Sequence, residues 1–139
     1  MKTYNCIVVF DKTKHNILFC KRIKDPYKGL YNFPGGKVED GESSEDAAYR
    51  ELHEETGISR SDIMLKHFMD LTYYVQDFIL ELYVGQLADD VTLVEEVNPL
   101  VWLPLTSDFT DINAYAGEQN IAHIVNIALK CPLSSDQIE

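Results

Sequence analysis

The sequence predicts an α+β fold, on three observations. Five runs rich in β-branched and aromatic residues recur along the chain, at 3–10, 16–20, 64–75, 78–87 and 100–103. Two other segments carry apolar residues at helical spacing. Turn-forming clusters separate the two kinds of segment. No repeat, low-complexity stretch or long linker divides them, so residues 1–139 are expected to form one domain.

The first strand ends in the apolar run Ile7-Val8-Val9-Phe10, and the polar residues 11–15 predict a hairpin to the second. Residues 24–28 contain a proline and charges and read as a loop. Pro34-Gly35-Gly36 and Asp40-Gly41 are turn signals. A helix is expected from Ser43 or Ser44: either can cap it, and Glu45 and Asp46 put negative charge where the helix dipole favours it. Ala48 and Leu52 supply its apolar stripe, and Gly57 ends it in the left-handed conformation. Gln76-Asp77 predicts a tight turn between the third and fourth strands. Pro104 closes the strand at 100–103. The last helix, 118–130, has Ile121, Ile124, Val125, Ala128 and Leu129 at helical spacing.

Composition narrows the function. The net charge is −11, from 23 acidic and 12 basic residues, which argues against a grip on long nucleic acid. It does not argue against a small phosphorylated ligand, because carboxylates can hold divalent cations and those cations can hold phosphate. No apolar run approaches the ~18 residues of a membrane span. Cys6, Cys20 and Cys131 form no CxxC pair, and this odd count suggests reduced thiols in a cytoplasmic protein.

The informative segment is GGKVEDGESSEDAAYRELHEETGI, residues 35–58. Glu51, Glu54 and Glu55 stand at i, i+3 and i+4, on one helix face. They repel one another and lie toward the helix end where the dipole disfavours negative charge. The plain alternative is a solvated acidic face. A divalent cation would reverse the penalty, and hard oxygen donors suit Mg²⁺ or Mn²⁺.

The segment resembles the Nudix box, G-x5-E-x7-R-E-U-x-E-E-x-G-U, where U is aliphatic. Gly36, Glu42, Arg50, Glu51, Leu52, Glu54, Glu55, Gly57 and Ile58 fill every specified position. Seven fixed residues at roughly 6% usage each, over about a hundred starts, arise by chance in fewer than about one chain per million. The resemblance implies a Nudix fold: an α/β/α sandwich with a central mixed β-sheet, the box forming a loop–helix–loop. It also implies that Glu51, Glu54 and Glu55, with the carbonyl of Gly36, hold Mg²⁺ (or Mn²⁺). Arg50 would orient its neighbouring glutamate, and Glu42 would brace the loop. Arg50 also stands four residues after Asp46, the spacing of an ordinary helix salt bridge. The implied chemistry is hydrolysis of a pyrophosphate bond, with metal-activated water and a carboxylate base. Glu54 or Glu51 is the expected base, with Glu95 and Glu96 as candidates outside the box. His53, at a variable box position, is expected to be an exposed helix residue.

The stretch from Leu30 to Lys37 resembles the openings of the nucleotide-sanitising, MutT-like branch, with Tyr31 where that branch usually has tryptophan. This implies base or substrate contacts from Asn32, Arg22 and Lys37. Asn120 resembles an asparagine used for base recognition in the same branch. Asn32 also reads as a turn residue, and Arg22 as a strand-end surface residue. The expected substrate is a small nucleotide, an NTP or dNTP cut to NMP and pyrophosphate. The alternatives are a dinucleoside polyphosphate, for which Tyr73 or Tyr74 would be the signature, an ADP-sugar, or a non-catalytic nucleotide-sensing module. The sequence leaves monomer and homodimer both open.

Overall fold

The computed structural model describes residues 1–116 and 120–133. Eight elements follow in order: β1 (Lys2–Phe10), β2 (Asn16–Lys21), β3 (Tyr31–Asn32), α1 (Ser44–Thr56), β4 (Lys66–Tyr73), β5 (Phe78–Gln86), β6 (Leu100–Pro104) and α2 (Asn120–Lys130). The expected start of the last helix, at Glu118, lies outside the described residues. Among the described residues no helix is long and apolar enough to cross a membrane.

Successive side chains of a strand point to opposite faces, and β1 uses both. Val8 and Phe10 pack into one apolar cluster with Ile121, Ile124, Val125 and Ala128 of α2. Ile7 and Val9 pack into a second with Ala48 and Leu52 of α1 and with Ile58. The helices therefore cover opposite faces of a mixed sheet, the expected α/β/α sandwich. Its order is β3-β2-β1-β5-β4, with β6 paired to β2.

The β1–β2 hairpin forms but opens at once. Asp11 organises the turn by accepting hydrogen bonds from Thr13, His15 and Asn16. The two strands then pair only at Phe10↔Ile17, while β1 runs parallel to β5 along its whole length. Residues 34–38 fill the gap. The amides of Ile7 and Asn5 donate to the carbonyls of Pro34 and Gly36, each at 2.8 Å, and Val38 N–H donates to Thr3 O at 2.9 Å. That wedge brings the glycine loop to the middle of the sheet.

Three local expectations need correction. The turn between β4 and β5 spans residues 74–77, because Tyr74 and Val75 are 81% and 93% exposed and leave the ladder. β4 is shorter than 64–75 and carries a bulge between His67 and Met69. Asp46 pairs with Arg60 at 2.5 Å and not with Arg50, whose guanidinium is engaged elsewhere. The two-residue β3 is too short to have shown a pattern.

Candidate active site

Ser43 is the residue that caps α1: its hydroxyl accepts from Asp46 N–H at 3.1 Å. Ser44 is helical and donates to Glu81 instead. Gly57, at φ 80°, closes the helix through its amide to His53 O. Ala47, Ala48, Leu52 and Thr56 are buried, whereas Glu51 and Glu55 reach the glycine loop and Glu54 lines the cleft beside them.

Arg50 ties that flank to the loop. Its Nε and Nη2 donate to the two oxygens of Glu42 at 2.6 and 3.0 Å, a two-pronged, charge-assisted pair. Nη2 also donates to Lys37 O at 3.0 Å, and Nη1 to Glu51 at 3.0 Å and Glu54 at 3.2 Å. These bonds, Glu42's first, push the arginine pKa further up, and the same pair holds the Glu42 carboxyl below its usual range. Glu42 also accepts from Glu39 N–H, so it braces the loop it belongs to.

The loop runs close against both the helix and β1. A Cβ on Gly36 would overlap the Glu51 carboxylate. Gly35 N–H donates to Glu55 Oε2 at 3.1 Å, and a Cβ there would overlap the backbone of Asn5. Burial pushes the Glu55 carboxyl up to about 7 against the pull of the Gly35 amide, with Glu51 and Glu96 adding to the rise. Burial likewise raises Glu51.

Glu51, Glu54, Glu55 and Glu96 line one cleft of about 250 Å³. Glu95, the other acid outside the box, accepts from Leu100 N–H at 2.7 Å and serves its loop. The three box glutamates do not bring their oxygens within 4.8 Å of one another; among the described residues only His67, Asp70 and Glu81 form such a group. Arg50 draws Glu51 and Glu54 aside, and Gly35 holds Glu55. The Gly36 carbonyl accepts from Asn5 N–H and keeps one lone pair. Four carboxylates in one cleft, two of them with raised proton affinity, suit a hard divalent cation, which would relieve their mutual repulsion.

A larger cavity of about 530 Å³ adjoins the cleft and shares Cys20, Glu55 and Asn98 with it. Arg22, Asn32 and Asn120 line it, whereas Lys37 is exposed and stands outside its lining. Arg22 Nε donates to Pro26 O at 2.8 Å, which holds the loop after β2 against the rim. Asn32 lines the cavity from strand β3, not from a turn, and its Oδ1 accepts from Phe33 N–H. Asn120 donates to the Tyr73 hydroxyl at 2.9 Å, and the Tyr73 ring stacks on Phe78 at 4.5 Å. Tyr74 and His53 are exposed. Sequence reasoning missed Tyr4, Phe78 and Asn98 as lining residues. Tyr4 packs edge-on against Phe78, a contact visible only once β1 and β5 are paired. All three cysteines are free; burial pushes the thiols of Cys6 and Cys20 up to about 12 and about 11.

The NUDIX domain family model matches residues 2–119. An ADP-ribose pyrophosphatase of Methanocaldococcus jannaschii is 50% identical over 44 residues, 32% of this chain and 26% of that protein. An 8-oxo-dGTP diphosphatase of Proteus vulgaris is 49% identical over 47 residues, 32% of this chain and 42% of that protein. The chain thus spans less than half the length of these curated relatives. A solved structure of MutT, from work on the Aliivibrio salmonicida and Vibrio cholerae proteins, superposes with a TM-score of 0.69. It is 26% identical, with 94% of this chain and 98% of that one covered.

Proposed function

Because the chain belongs to the Nudix family, we propose that it is a Mg²⁺- or Mn²⁺-dependent pyrophosphohydrolase that converts a nucleoside triphosphate to the monophosphate and pyrophosphate. The observation that carries this reading is the join between the two hollows: an acidic cleft opens through Glu55 into a cavity with aromatic and asparagine walls. In this reading the nucleoside occupies the cavity and its phosphates reach the cleft. A cation held by Glu51, Glu54 and Glu55 would neutralise phosphate charge and activate water.

The chain's own groups have separate tasks in this reading. Arg50 positions Glu51 and Glu54 and fixes the loop through Glu42 and Lys37 O. Glu54 is the candidate base, because half of its side chain is open to solvent in the cleft. Glu96 is the candidate outside the box, since it faces the same cleft. Arg22, Asn32 and Asn120 are candidates to hold the nucleoside; a contact from Lys37 has no support in the cavity lining.

A panel of ribo- and deoxyribonucleoside triphosphates tests the proposal, with 8-oxo-dGTP, ADP-ribose and a dinucleoside tetraphosphate included. Products are identified by mass in the presence of Mg²⁺. Pyrophosphate from at least one triphosphate is expected. Hydrolysis of ADP-ribose or the dinucleotide alone would replace the triphosphate reading with the ADP-sugar or dinucleoside-polyphosphate alternative, and hydrolysis of nothing would leave the non-catalytic nucleotide-sensing module.

A further inference from the structure

The edge of the sheet holds a second group of metal-ligating side chains. In a regular strand His67 and Asp70, three residues apart, would point to opposite faces. The bulge in β4 inserts one extra residue between His67 and Met69, so that His67 opposes Tyr83 and Asp70 opposes Glu81. Tyr83 and Glu81 are two apart on β5 and share a face, so His67 and Asp70 come to share it too. The His67 ring stacks on Tyr83 at 4.9 Å, and its Nε2 lies 2.5 Å from Asp70 Oδ1. One ligand atom from each of His67, Asp70 and Glu81 lies within 4.8 Å of the other two.

Two features of this group are unfavourable without a cation. Asp70 and Glu81 are carboxylates placed directly opposite each other on neighbouring strands, an arrangement that repels. Glu81 Oε2 accepts from Ser44, but Oε1 is buried and has no hydrogen-bond partner among the described residues. A buried acceptor left unmatched is costly, and more so when it is charged. Among the described residues, the His67 ring nitrogen pairs with Asp70 and with neither oxygen of Glu81. The side chains of His67 and Asp70 are 41% and 48% exposed, so an ion has access from solvent. None of the three residues lines the acidic cleft or the cavity.

We propose that His67, Asp70 and Glu81 form a second cation site, separate from the Nudix box. One imidazole nitrogen with two carboxylates suits Zn²⁺ best and Mn²⁺ next, whereas the box offers oxygen alone. Water fills the remaining coordination positions. A bound ion would tie the edge strand β4 to β5 and, through Glu81 and Ser44, to the first turn of α1.

The test is calorimetric titration of the protein with Zn²⁺ in excess Mg²⁺, so that the box carboxylates are already occupied. One Zn²⁺ is expected to bind, and His67→Ala or Asp70→Asn should each weaken it by at least about tenfold. Hydrolysis with Mg²⁺ should be unchanged in both variants. Long-range ¹H–¹⁵N spectra of the wild type give a readout that survives a misfolded variant: Zn²⁺ should move the His67 ring nitrogen and leave the other three histidines in place. Zinc affinity untouched by both substitutions, a His67 resonance that stays put at saturation, or a response confined to another histidine would each overturn the proposal.

Discussion

Glu51, Glu54, Glu55 and the Arg50 that ties two of them come from six consecutive residues of one helix. The cavity next door draws Tyr4, Arg22, Asn32, Phe78 and Asn120 from five separate segments. One region is fixed by a local element with its own cap and stop; the other exists only after β1, β5 and α2 have come together. Substitutions on the helix should therefore act on the chemical step, and substitutions in the cavity on which molecule is chosen.

The largest effect should come from Glu54→Gln, which keeps the shape of the side chain and removes its capacity to take a proton. We expect kcat to fall by about 10²–10⁴-fold, the usual worth of a positioned acid or base. The thermal midpoint should stay near that of the wild type, since the side chain is 49% exposed. A kcat within a few-fold of wild type would move the base to Glu51 or Glu96, and a base at Glu96 would take part of the chemistry off the helix.

Next in size is Arg50→Lys. Lysine keeps the charge but cannot bond Glu42, Lys37 O and the two glutamates at once. Loss of such a supporting group commonly costs about 10–100-fold in metal affinity or activity. Saturating Mg²⁺ should restore part of the lost rate if the arginine acts by positioning ligands. An undiminished rate at low Mg²⁺ would argue that the clamp is an ordinary surface ion pair.

The same contrast explains what could be read from the sequence. The box is contiguous, so spacing alone put three glutamates on one face and bounded the helix by Ser43 or Ser44 at one end and Gly57 at the other; the choice of Ser43 came from the structure. Ile7-Val8-Val9-Phe10 announced a strand, and the structure shows it buried on both faces in the middle of the sheet. The bulge beside His67 was hidden, because the register that defines it lies in the pairing with β5 and not in β4 itself. Asp46 and Arg50 had ideal helical spacing, yet Arg50 turned to Glu42, which the loop returns to it from eight residues away. Tyr4, Phe78 and Asn98 carry no motif at all; distance in sequence conceals what the sheet brings together.

Cavity substitutions should be smaller in effect and selective in kind. Asn120→Ala removes the partner of the Tyr73 hydroxyl and one polar wall of the cavity. If Asn120 reads the base, kcat/KM should drop about tenfold for the preferred nucleotide, the worth of about one hydrogen bond, and far less for the others. An equal drop across all nucleotides would make the residue a structural prop of Tyr73.

The smallest effect concerns pH, and it links the cleft to stability. Burial raises the folded-state pKa of Glu55 to about 7, above the ordinary carboxylate value of 4.5 that applies once the chain unfolds. Below the unfolded value both states are protonated, and the favourable contribution of the neutral, buried group is fully present. It is lost as pH rises through about 7, because the folded state must then carry a buried charge. Metal-free protein should therefore melt at a lower temperature at pH 8 than at pH 5.5, so far as this group is concerned. A cation bound to the ionised carboxylate reverses the sign, since the proton and the ion compete for the same oxygens. The gain in melting temperature on adding Mg²⁺ should grow from pH 5.5 to 8, and Glu55→Gln should flatten that growth. A gain that is equal at both pH values in the wild type would mean that the ion sits elsewhere and that Glu55 serves only the Gly35 amide.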